Sequence, residues 1–130
     1  MANSISTQPW SLRMPAGSLQ EWLFTFTTGA PGGTTPWPIS GATWEYVVRT
    51  SATDLTVPPL ISITTALTGA GQLTVTASAT TSSVLLVMAP AATVSLTPGT
   101  YYAALWENPG TSTAFCVFDG LLLIDGAPQP

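Results

Sequence analysis

Glycine and proline punctuate this chain. There are 11 Gly and 12 Pro among 130 residues, and most fall between short apolar runs. The runs themselves are filled with Thr, Val, Trp, Tyr and Phe, residue types that fit a pleated, half-buried surface. Short strand-like runs separated by turn residues at regular spacing predict a sandwich or barrel of strands. No segment has the periodicity of an amphipathic helix.

Alternation identifies the strands. In Glu21 to Thr28, Trp22, Phe24 and Phe26 share one side; in Ala42 to Thr50, Trp44, Tyr46 and Val48 oppose Glu45, Val47 and Arg49. Pro58-Pro59 precedes a short run at Leu60 to Ile63, and Gly69-Ala70-Gly71 turns the chain into Gln72 to Ala77. Ser83 to Met88 is more uniformly apolar, as a central strand requires. Ala89 to Ala92 reads as one helical turn across an end of the sandwich, and Val94 and Leu96 as a resumed strand. Pro98-Gly99 fits the centre of a type II turn, and Asn108-Pro109-Gly110 a second reversal. Thr113 to Ile124 is the last strand, either bulged or folded at Asp119-Gly120. The expected fold is all-β: a single immunoglobulin-like or jelly-roll-like antiparallel β-sandwich over residues 18–125. An extended N-terminal arm over 1–17 and a C-terminal tail over 126–130 flank it.

Charge is scarce. Only 6% of residues are charged, against about 25% in an ordinary soluble domain. The surface is therefore coated with Thr, Ser, Gly and Ala, which cost little to desolvate. Such a surface suits a subunit mostly covered by neighbours. The cations are Arg13 and Arg49, with no Lys. Two arginines cannot supply the phosphate contacts on which nucleic-acid affinity rests. The N-terminal stretch lacks the charged start and apolar core of a signal peptide. Val84 to Ala92, the longest strongly apolar run, is about half a bilayer span and contains Pro90, so no membrane insertion is expected.

The chemistry of turnover is thin. Without His there is no Ser-His-Asp or Cys-His constellation and no His-based metal site; without Lys there is neither a Walker lysine nor a Schiff base. The carboxylates are Glu21, Glu45, Asp54, Glu107, Asp119 and Asp125, none in a motif that demands one there. Cys116 lies in an apolar run and reads as a small buried hydrophobe. No enzyme activity, cofactor or metal is expected. Trp22 and Trp44 belong to alternating strands and to the core. Trp10 and Arg13 in the arm, Trp37 in the Pro-rich loop and Trp106 are the candidate protein-contact residues, tryptophan being favoured as an interface anchor.

The pieces come in a recognisable order. Pro38-Ile39-Ser40-Gly41 leads into Ala42-Thr43-Trp44-Glu45-Tyr46-Val47-Val48-Arg49, a tryptophan strand ending in Arg. Ile61-Ser62-Ile63 and Gly71-Gln72-Leu73-Thr74-Val75 follow, then Val84 to Met88, then Thr93 to Tyr102 with its Gly99-Thr100-Tyr101 step. Val117 to Ile124 closes the set around Gly120. This order, over residues 20 to 125, resembles a small β-sandwich module of tailed-bacteriophage tail and baseplate proteins, including the N-terminal part of upper-baseplate subunits. Where that module commonly has Asp-Leu after Gly-x-Tyr, this chain has Ala104-Leu105. The resemblance implies a virion structural protein of the tail tip or baseplate, or a minor tail subunit, acting as an assembly adaptor. It would be assembled in the bacterial cytoplasm, with other virion proteins and copies of itself as partners. A capsid decoration protein is the alternative of the same class, and a receptor- or carbohydrate-binding module with Trp10, Trp37 or Trp106 as stacking platforms is the alternative of another.

Overall fold

The structure, a computed structural model, describes residues 10–25, 27–28, 35–36, 41–51, 53–54, 58–77 and 82–126. They form ten strands: β1 (Trp10–Pro15), β2 (Gln20–Thr25), β3 (Thr27–Thr28), β4 (Thr35–Pro36), β5 (Trp44–Arg49), β6 (Ile61–Thr64), β7 (Gly71–Ala77), β8 (Ser82–Met88), β9 (Gly99–Glu107) and β10 (Phe115–Asp125). One 3-10 turn, Pro90–Ala92, sits between β8 and β9 where a helical turn was expected.

Two sheets pack face to face as a β-sandwich. The larger has the order β1-β10-β9-β5-β6, the smaller β2-β8-β7, and β3 with β4 makes a two-residue ribbon. Consecutive strands are antiparallel neighbours in β5–β6, β7–β8 and β9–β10, while the chain crosses between the sheets from β1 to β2, β6 to β7 and β8 to β9. The pairings are antiparallel except one: β1 runs parallel to β10, from Trp10 opposite Gly120 to Pro15 opposite Asp125.

That exception also changes the reading of the N-terminal arm. Residues 10–15, expected as part of an extended arm, are an edge strand of the larger sheet. Leu12 packs against the core and Met14 is sealed in it, while Ser11 and Arg13 face out. The parallel partner satisfies the backbone groups that a free arm leaves to water. Residues 1–9 and 127–130, the rest of the expected arm and the tail, lie outside the described residues.

The core follows the alternation of the strands. Trp44, Tyr46 and Val48 of β5, Ile61 and Ile63 of β6, and Val84, Leu86 and Met88 of β8 are all buried. Each such side chain contributes about 1.5–3 kcal/mol on leaving water. Phe24 of β2 crosses the interior to Phe118 of β10, with ring centroids 4.5 Å apart and planes tilted by 45°. Trp22 packs against the core, and Phe26 lies outside the described residues.

The last strand is bulged rather than folded back. Its register against β9 slips between Cys116, opposite Trp106, and Phe118, opposite Leu105. The extra residue turns two successive side chains inward, so Val117 and Phe118 are both buried. Two other expectations fail nearby. Val94 and Leu96 do not resume a strand: the chain turns from residue 93 to 96, Val94 is exposed, and the buried Thr93 hydroxyl accepts the Gly17 N–H at 2.9 Å. Nor does Gly99 take a turn corner; its φ of 159° is extended backbone and it opens β9.

Candidate interaction surface

Side chains that alternate with the buried ones make the outer face of the larger sheet. Read across the strands, Thr64, Glu45, Trp106 and Cys116 form one row. Ser62, Val47, Ala104 and Asp119 form the next, and Arg49, Tyr102, Leu121 and Ser11 a third. Thr100, Leu123 and Arg13 complete it. Tyr102 is 41% exposed, while Trp106, Val47, Leu121 and Leu123 are half-buried against their neighbours. The face thus sets an aromatic pair on β9 and several aliphatic side chains among four charged residues, Arg13, Glu45, Arg49 and Asp119.

The charged groups are engaged locally. Glu45 accepts the Ser62 hydroxyl across the β5–β6 pair. Asp54 accepts the Thr50 hydroxyl at 2.9 Å. Arg13 grips Asp125 with two hydrogen bonds, Nε to Oδ2 at 2.8 Å and Nη2 to Oδ1 at 3.0 Å, pinning β1 to β10 on its solvent side. That hydrogen bonding and the guanidinium charge hold the Asp125 carboxyl below its ordinary 3.8. A carboxyl lowered on folding stabilises the fold fully above the ordinary value, and the contribution is lost as pH falls through the lowered one. Both side chains are well exposed, so the effect is small. Asp125→Asn is expected to lower Tm slightly at neutral pH and to match the native chain in strong acid, measured by thermal melts across pH.

Of the residues singled out from the sequence, the structure brings Arg13 and Trp106 onto this face, at different ends. Trp10 occupies the register position opposite Gly120, and Trp37 lies outside the described residues. Sequence reasoning missed Tyr102, Leu121 and Leu123. Their signal was the unbroken Leu121-Leu122-Leu123 run, since a strand apolar on both faces has something to cover on each. Cys116 is half-buried rather than sealed; burial first, and Asp119 second, push its thiol up to about 11, so it stays protonated and a weak nucleophile near neutrality.

A cavity of about 20 Å³ is lined by Leu12, Phe24, Tyr46, Leu105, Phe118 and Gly120 among others. That volume suits a single water. Among the described residues no three His, Cys, Asp or Glu side chains gather as a metal site. No helix among them is long and apolar enough to cross a membrane. The Tyr46 hydroxyl is buried with no hydrogen-bond partner among the described residues, and burial drives its ionisation far above the ordinary range. An unsatisfied buried hydroxyl costs stability, so Tyr46→Phe is expected to raise the unfolding free energy by about 1 kcal/mol in urea titrations. A loss of similar size would show that the hydroxyl is satisfied.

In comparisons with known proteins, no family model and no curated protein matches this chain.

Proposed function

We propose that this chain is a structural subunit of a tailed-phage virion, placed at the tail end as a tail-tip, baseplate or minor tail adaptor. The observation that carries the reading is the outer face of the five-stranded sheet. It presents Val47, Tyr102, Ala104, Trp106, Leu121 and Leu123 together, among four of the chain's eight charged residues. Aromatic and aliphatic side chains interspersed with charged and polar ones suit a surface that packs against neighbours. The ordered resemblance to the phage β-sandwich module names the kind of assembly. The role is to hold neighbours in place.

Gold-labelled antibody against the chain, applied to particles of the phage that encodes it, tests the placement. Label at the tail end is the expected result. Label over the capsid lattice would instead favour a decoration protein. Particles that carry no label and contain no copy of the chain would overturn the virion role altogether.

A further inference from the structure

The geometry points to β7 as a pairing edge that joins two copies of this chain, antiparallel about a two-fold axis at Val75. The inference deepens the proposed role, and rests on it for its purpose, by naming the surface through which copies associate.

The main-chain directions of β7 can be read from two neighbours. Gly71 exchanges both its hydrogen bonds with Thr68, at 3.1 and 3.2 Å, so its N–H and C=O point away from β8. The residue before it does the reverse: the Ala70 C=O accepts from the Ala89 N–H at 2.9 Å, toward β8. In an antiparallel strand these directions alternate residue by residue. Gln72, Thr74 and Thr76 therefore bond to β8, while Leu73, Val75 and Ala77 aim their N–H and C=O groups outward. Among the described residues no strand pairs with that side of β7.

The other edges carry devices that discourage pairing. β1 bears Arg13 and ends at Pro15; β2 bears Glu21; β6 is only four residues long and follows Pro58-Pro59. β7 is seven residues with no charge and no proline, and its register against β8 is unbroken. Such an edge is a template for another strand.

A second β7 fits it best. Setting Leu73 opposite Ala77 of the other copy and Val75 opposite itself uses all three outward residues and gives six main-chain hydrogen bonds. On the outer face Thr74 then meets Thr76 of the other copy twice, a favourable cross-strand pair. Since β7 is uncharged, self-pairing sets no like charges against each other, whereas β1 or β2 paired with itself brings a charged residue toward its copy. The two smaller sheets become one six-stranded sheet across the dimer, an isologous contact.

Light scattering during size exclusion tests the inference on the full chain, together with amide hydrogen exchange. The native chain is expected to reach twice the chain mass on concentration, with exchange at Leu73, Val75 and Ala77 slowing in step. Thr74 and Thr76 are exposed, so charging them leaves the interior intact. T74K/T76K alone and T74E/T76E alone are each expected to stay at one chain mass, and an equimolar mixture of the two to recover the dimer. A native chain monomeric at every concentration overturns the inference. So does a dimer that survives both double substitutions, or one formed without protection of the three amides. Mass reads the edge and antibody labelling reads virion membership, so the two proposals fail separately.

Discussion

Phe24→Ala is expected to lower the unfolding free energy by about 3–5 kcal/mol, a large share of the roughly 5–15 kcal/mol that holds a domain together. Phe24 is 2% exposed and joins the two sheets through its contact with Phe118. Truncation removes apolar area from the interior and the ring–ring contact with it. It also enlarges the existing cavity, which Phe24 and Phe118 both line. Neighbouring strands are held by their ladders and cannot collapse into the gap. The comparison is Leu23→Ala, one residue away on the opposite side of β2, where the side chain is 59% exposed. That change is expected to stay within about 0.5 kcal/mol. Urea unfolding followed by tryptophan fluorescence reads both.

Gly71→Ala is expected to be as severe, costing more than about 3 kcal/mol, although it adds a single methyl group. A Cβ at this position would lie 2.0 Å from the Val87 carbonyl oxygen, and the backbone φ of +136° is one that L side chains rarely adopt. The obstructing atom belongs to the main chain of β8, so it cannot swing aside. Gly69, two residues earlier in the same Gly69-Ala70-Gly71 turn, has open space around its would-be Cβ. Gly69→Ala is expected to be nearly neutral. Equal losses at the two positions would contradict the close approach of β7 to β8.

These glycines also show where sequence reasoning reached its limit. The turn was legible from composition, but which glycine it depends on was not, because the clash comes from a strand sixteen residues further along. β5 was read in full, since Trp44, Tyr46 and Val48 alternate with more polar partners and burial obeys that period. β1 was missed because Pro15 and Gly17 suggested irregular chain, while its partner β10 lies more than a hundred residues away. The Val94 and Leu96 pattern misled because two alternating apolar residues carry little weight against a buried Thr93 hydroxyl that ties the turn to Gly17. For the surface, Trp106 was legible as an aromatic in a strand. The outer face around it emerged only once strand order set β5, β9 and β10 side by side.

The proposed virion role requires the chain to be a stoichiometric part of a particle, and quantitative mass spectrometry of gradient-purified virions measures that directly. A fixed copy number per particle, in ratio with known tail components and unchanged by repeated purification, is the predicted result. A chain that stays at the top of the gradient while the virions sediment complete without it would contradict the account.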